Sequence, residues 1–253
     1  MPDWALVLGA SSGFGAATAQ ALARAGFDIA GMHMDRRETL PAAQAVERDI
    51  KDAGRETIFM NGNAADEVQR AAMLQALAGR HVRVLFHSLA FGSLMPMIGP
   101  DAATQRQIEM TTDVMGHSLV YWARDLVALG LMGQGGRIYA MTSEGSSRAL
   151  PFYGPVSAAK AVLEAHIRQL AVELAPHGIT ANALLAGTTD TPALRKIPGY
   201  EQLLASAAAR NPYHRLTKPE DIAQAVVSLV SPQTAWITGN TIRVDGGLVR
   251  SVL

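Results

Sequence analysis

Three groups of residues have types and spacings suited to chemistry. The first is Gly9-Ala10-Ser11-Ser12-Gly13-Phe14-Gly15, spaced G-x-x-x-G-x-G, between a strand-length apolar run at 4–8 and an Ala-rich helical pattern at 16–25. Glycines in that place permit a tight turn and close backbone approach to a pyrophosphate. The helix that follows offers free N–H groups and the positive end of its dipole. The plain alternative is a glycine-rich turn without a ligand. The second group is Tyr153 and Lys160, in the pattern Tyr-x6-Lys, with Ser143 upstream. Pro155 suits a first helical turn, which puts Tyr153 just outside a helix and Lys160 inside it. The third is Arg36 and Arg37, close behind His33 and Asp35. An acid about 20 residues past a glycine loop accepts from the ribose hydroxyls of NAD, whereas a guanidinium suits the 2′-phosphate of NADP. This favours NADPH, with Asp35 keeping NADH possible.

The elements that must position these groups follow a regular rhythm. Short Val/Leu/Ile-rich runs at 4–8, 27–32, 57–60, 82–86, 137–141, 180–185 and 241–244 read as strands. Helical patterns lie at 16–25, 40–53, 67–77, 104–129, 156–174, 200–210 and 219–230. Thr217 and Glu220 are spaced as a capping box for the last of these. Strands that are continuously apolar and alternate with helices imply a parallel sheet covered on both faces. The expected fold is therefore α/β: a doubly wound Rossmann fold of about seven parallel strands, forming a single domain over residues 1–253. Sheets of this kind bind ligands beyond the carboxyl ends of their strands, here just after Leu8, Met32, Phe86, Met141 and Leu185.

Composition narrows the function. With 49% apolar and 17% charged residues the chain can bury a full core. Lys+Arg and Asp+Glu balance at 22 each, which leaves no electrostatic footprint for nucleic acid or an anionic membrane. The absence of cysteine excludes disulfides, Cys-ligated metals and a Cys nucleophile. The start lacks a signal-peptide pattern, and no apolar stretch is long enough to span a bilayer, so the expected location is cytoplasmic. No metal site is expected: His87 has no second ligand at metal-binding spacing and reads as structural. His117, His166, His177 and His214 have no evident partners, and Glu144 reads as a solvated loop residue.

The glycine loop, the strand–helix order and the length resemble the short-chain dehydrogenase/reductase family, whose loop is T-G-x-x-x-G-x-G, with Leu8 in place of Thr. The resemblance implies that Gly9, Ser11, Ser12, Gly13, Phe14 and Gly15 line the cofactor phosphates. It also implies that Asn63 and Ala64 lie by the adenine. The ketone-reducing branch has Tyr four residues before Lys, but that position here is Val156. Tyr-x6-Lys instead resembles the enoyl-acyl-carrier-protein reductases. So do His87-Ser88-Leu89-Ala90-Phe91, Asp113, and the late stretches Ala186-Gly187-Thr188-Thr189-Asp190-Thr191, Asn211-Pro212 and Asp245-Gly246-Gly247. These late stretches are similar to the divergent NADPH-using type.

What this resemblance implies is reduction of a trans-2-enoyl thioester on acyl carrier protein or coenzyme A, as in fatty acid elongation; a cyclic or polyketide-derived enoyl group is also possible. Tyr153 would stabilise the developing enolate oxygen, and Lys160 would hold the nicotinamide ribose. Ser88, Leu89, Ala90, Gly187, Thr189 and Thr191 would complete the cofactor site. Hydride adds to the β-carbon while charge develops on an oxygen two carbons away. A tyrosine one helical turn earlier, about 5 Å along a helix, suits that separation. Residues 188–214 would form the substrate loop, with Leu194, Ile197, Leu203 and Leu204 over an acyl chain, and the assembly would be a homotetramer. Ser143 stands where the ketone-reducing branch has its catalytic serine and many enoyl reductases have an aromatic residue. It keeps a ketone/alcohol dehydrogenase as the alternative. A nucleotide-binding protein without activity is a further one.

Overall fold

Runs of Val, Leu, Ile and Ala with few polar residues form stable strands only where both faces are covered. The computed structural model describes residues 2–248. Its strands are β1 (Trp4–Leu8), β2 (Asp28–His33), β3 (Thr57–Asn61), β4 (Val82–His87), β5 (Arg137–Thr142), β6 (Thr180–Ala186) and β7 (Thr241–Val244). All are parallel in one sheet, ordered β3-β2-β1-β4-β5-β6-β7. The winding direction reverses between β1 and β4, the crevice where such sheets hold ligands.

The helices are α1 (Gly13–Arg24), α2 (Leu40–Asp52), α3 (Glu67–Ala76), α4 (Gln105–Thr112), α5 (Ser118–Ala128), α6 (Gly154–Glu173), α7 (Tyr200–Arg210) and α8 (Pro219–Leu229). They cover the sheet in two layers. Leu6 and Leu8 of β1 face α3, α5 and α6, while Ala5 and Val7 face α1, α2 and α8. That alternation is the two-residue period of a strand. Trp122 is fully buried in the first layer, and its indole N–H donates to Ala64 O at 2.8 Å. Among the described residues, no helix is long and apolar enough to cross a membrane.

Two local expectations are corrected. The helix expected over 104–129 is interrupted: residues Asp113–His117 form a π-helical turn, with Ser118 N–H donating to Asp113 O. Thr111, Thr112 and Ser118 each donate their hydroxyl to a carbonyl four residues earlier, which loosens the ordinary ladder. Gly116 also lets the turn approach α6, since a Cβ there would lie 3.0 Å from Ala159 O. The second correction concerns α8. Its N-cap is Lys218, whose N–H donates to Asp221 Oδ2 at 2.8 Å, in place of the Thr217/Glu220 pair. Pro219 at the first helical position moves the cap one residue on.

The turn between β1 and α1 tolerates little added volume. A Cβ on Gly15 would sit 1.9 Å from Gly9 O, a backbone atom with no room to yield. Gly15→Ala is expected to lower unfolding stability by about 3 kcal/mol, measured by urea titration. A loss under roughly 1 kcal/mol would show that the turn repacks freely.

Candidate active site

The carboxyl ends of β1 to β6 bring most of the singled-out residues into one crevice. At the first end, Gly9 (φ +91°) and Gly13 (φ +53°) adopt left-handed backbone that glycine reaches without strain. Gly9 and Ala10 N–H both donate to Met32 O. Ser12 caps α1 in extended conformation, and its side chain makes no capping bond. The hydroxyl and the first-turn N–H groups of α1 are therefore left for a ligand. Ser11 stands half-buried beside it, whereas the Phe14 ring packs on the α1/α2/α8 core. Thr191 lies over the loop: its methyl group would be 3.5 Å from a Cβ on Gly13.

Beside this loop, a cleft of about 620 Å³ is lined by Met32, Met34, Met60, Asn61, Gly62 and Asn63. Asn63 turns its carbonyl oxygen to Ala65 N–H, and Ala64 is buried. Asp35 is already engaged: one oxygen is 2.9 Å from His33 Nδ1, and its backbone is clasped by Asn61. Arg36 and Arg37 are exposed, and neither guanidinium has an ion-pair partner among the described residues. A second cleft, of about 590 Å³ between α3 and α5, opens near the amino ends of β4 and β5, away from these groups.

Beyond β4, Ser88 N–H donates to Leu8 O, and Ser88 O lies 2.5 Å from where a Gly9 Cβ would be. Leu89 is half-buried and Ala90 exposed. Lys160, on α6, is 5% exposed and donates to Met141 O at 2.7 Å and Leu89 O at 3.4 Å. Burial pushes its ammonium down to about 8, against the opposing attraction of Glu164. Tyr153 caps α6, and its hydroxyl is 3.3 Å from Ser143 Oγ. Burial raises the phenol above its usual range, opposed by the Ser143 hydrogen bond. Val156 is 4% exposed and packs with Val114, Met115 and Ala159, so the position of the ketone-reducing tyrosine is filled by core.

The remaining expected residues frame the crevice. Thr189 Oγ1 donates to Gly187 O at 2.9 Å, and a Cβ on Gly187 would meet Thr217 Oγ1 at 2.3 Å. Asn211 is buried and donates to Asp245 O. In residues 188–214, Ile197 is buried and Leu194, Leu203 and Leu204 are half-buried. Asp113 accepts from Tyr121 Oη at 2.8 Å.

Three findings add to what spacing suggested. His117 Nδ1 and His166 Nε2, read as unpartnered, stand 2.9 Å apart. Glu144, read as a solvated loop residue, pairs with Arg148. Gly145 is the third: a Cβ there would lie 2.5 Å from the Tyr153 ring, so glycine makes the bed on which the phenol rests. Its only sequence signal is a small residue two places after Ser143.

His87 is fully buried, with Nε2 2.8 Å from Ser118 Oγ. Ser118 donates its own proton to Val114 O, so the imidazole donates to Ser118 and is neutral. Burial first, then the Lys160 charge, push it down to about 3.

Comparison with known proteins accords with this geometry. The chain belongs to the short-chain dehydrogenase/reductase superfamily and, within it, to the family described as enoyl-(acyl carrier protein) reductase, whose model matches residues 9–249. It is 28% identical over 250 residues to the 1-cyclohexenylcarbonyl-CoA reductase of Streptomyces collinus, spanning 96% of this chain and 85% of that one. It is 30% identical to the cis-4-hydroxycyclohexanecarboxylate dehydrogenase of Sinomonas cyclohexanicum, over 96% and 95% of the two chains. It is 31% identical over 164 residues to the NADPH enoyl-[acyl-carrier-protein] reductase of Staphylococcus aureus, a match spanning 64% of this chain and 63% of that one. The fold also superposes on the crystal structure of the NADH enoyl-[acyl-carrier-protein] reductase of Aquifex aeolicus, with TM-score 0.85 and 22% identity over 99% and 98% of the chains.

His87 carries a pH prediction. The unfolded chain takes up this proton below about 6.5, whereas the folded chain resists it until about 3. Stability is therefore lost as pH falls through that window. Between pH 7.5 and 5.0 the loss from this group is about 2 kcal/mol. Urea unfolding of His87→Gln, which has no proton to take up, should show a pH dependence weaker by that amount; equal slopes would contradict it.

Proposed function

We propose that this oxidoreductase reduces the carbon–carbon double bond of a 2-enoyl thioester with hydride from NADPH. The observation that carries the reading is the Tyr153 hydroxyl beside Ser143 at the carboxyl end of β5, with Val156 sealed in the core. The left-handed glycines, the crowded Gly15, the uncapped start of α1 and the cleft beside Asn63 fit a dinucleotide. The exposed Arg36 and Arg37, with Asp35 engaged by His33, favour the phosphorylated form.

When bound, the nicotinamide supplies the hydride, which adds to the β-carbon of the substrate. Tyr153 donates a hydrogen bond to the thioester oxygen, where the electron pair of the broken π-bond collects. A proton from solvent then completes the α-carbon. Lys160 orients the nicotinamide ribose through its ammonium. Ser11, Ser12 and the glycine-loop N–H groups hold the phosphates, with Ser88, Leu89, Ala90, Gly187, Thr189 and Thr191 along the remaining wall. Residues 188–214, anchored by Ile197, form the loop that closes over the acyl group and excludes water. Two relatives matched over almost the whole chain are named for six-membered carbocyclic acids or thioesters. A cyclic enoyl-CoA therefore joins straight-chain enoyl thioesters, on coenzyme A or acyl carrier protein, as candidate substrate. The reading includes a cytoplasmic homotetramer, which light scattering would register as four times 26.8 kDa.

A second reading is oxidation or reduction at a hydroxyl or ketone. Ser143 within reach of Tyr153 and the dehydrogenase relative support it.

The test is oxidation of NADPH in the presence of crotonyl-CoA or 1-cyclohexenylcarbonyl-CoA. Tyr153→Phe should lower kcat by about 10²–10³. Turnover of ketones alone, or enoyl turnover indifferent to Tyr153→Phe, would overturn the first reading in favour of the second. In the same assay, Arg36→Ala with Arg37→Ala should raise KM for NADPH roughly tenfold and leave KM for NADH nearly unchanged.

A further inference from the structure

Three consecutive residues at the carboxyl end of β5 are each pinned to a different side chain of α6 or its cap. Met141 O accepts from Lys160 Nζ at 2.7 Å. Thr142 Oγ1 donates to Glu164 Oε1 at 2.6 Å. Ser143 Oγ is 3.3 Å from Tyr153 Oη. The outer two links belong to the reaction proposed above. The middle one does not, although Glu164 follows Lys160 by four residues and so shares its face of α6.

The surroundings of Lys160 make that carboxylate matter. A buried ammonium is costly to keep charged unless an opposite charge is near. On β4 the nearby titratable group is His87, neutral and committed to Ser118. In the π turn, Asp113 is held by Tyr121, and His117 faces His166. After β5, Glu144 pairs with Arg148, and Tyr153 carries its proton. Among the described residues, Glu164 is the carboxylate whose charge acts on Lys160. Thr142 engages one of its oxygens and fixes where that charge sits.

We propose that Glu164 is a positioning residue: latched to the end of β5 by Thr142, its carboxylate keeps the Lys160 ammonium charged and aimed at the cofactor sugar. The inference rests on Lys160 being the residue that holds that sugar. Without the carboxylate, burial acts on Lys160 unopposed and the ammonium loses its proton nearer neutrality.

The chain has four lysines, at 51, 160, 196 and 218, so the ε-carbon signals of ¹³C-lysine-labelled protein can be followed individually by NMR, with Lys160→Met for assignment. In the unaltered protein the expected Lys160 midpoint is the one burial sets, pushed down to about 8. Glu164→Gln keeps an oxygen for Thr142 and removes the charge. It should raise the acid dissociation constant of Lys160 about tenfold, moving its midpoint to lower pH. Thr142→Val keeps the charge but frees it from the latch, and should move the midpoint the same way by less. An unmoved Lys160 midpoint in Glu164→Gln overturns the proposal. Should that variant fail to fold, an unmoved midpoint in Thr142→Val overturns it instead. The titration needs neither cofactor nor substrate, so absence of enoyl turnover would count against the proposed reaction and not against this link.

Discussion

An ammonium removed from water has to be given acceptors and a counter-charge by the protein, and meeting that requirement for Lys160 ties the crevice together. Its acceptors are the carbonyls of Met141 and Leu89, from β5 and from the loop after β4. Both segments must therefore end where α6 passes. The π turn helps to set that distance, because Gly116 lets it settle against the turn of α6 that contains Ala159. Tyr153 is placed by the same helix, one residue outside its first turn, with Gly145 beneath its ring. The electrostatics of Lys160 and the location of the phenol thus follow from how closely one helix approaches the ends of two strands.

The glycine-loop end of the crevice obeys a different constraint, which is space. The main chain of the β1–α1 turn folds back on itself until Gly9 O occupies the volume a side chain on Gly15 would need. Gly31, on β2, carries this crowding into the sheet: a Cβ there would press on the Phe59 ring and on Ala10. Absence of side chains here leaves the turn open to the close backbone approach that the proposed cofactor phosphates require.

The sheet could be read from the sequence because its inner strands are apolar runs with cover on both faces, while the edge strands β3 and β7 are only half-buried. Five strands nevertheless run one residue past their apolar runs, to His33, Asn61, His87, Thr142 and Ala186. Four of these are polar, so hydropathy stops before the backbone ladder does, at the point where the sheet turns from scaffold into site. Tyr153, Lys160, Ser143 and the glycine loop were visible as types at fixed spacings. The His117–His166 pair, the Thr142–Glu164 link and the bed at Gly145 were not, because each joins segments that only the tertiary fold brings together. The interrupted helix was hidden for another reason: a π turn inserts one residue without disturbing the apolar pattern on either side.

That inserted residue has a consequence for how α4 and α5 are coupled. Each residue of an α-helix turns the chain by about 100°. The two helices are therefore out of phase by that angle relative to a continuous rod. Drawing 113–117 into regular α geometry with that residue kept would rotate α5 about its own axis by the same angle. The rotation would carry Trp122 and Leu126 off the sheet and withdraw Ser118 from His87. The phase of the whole cover on that face of the sheet is thus stored in one surplus residue, and a regular helix, the locally preferred conformation, is incompatible with the packed core.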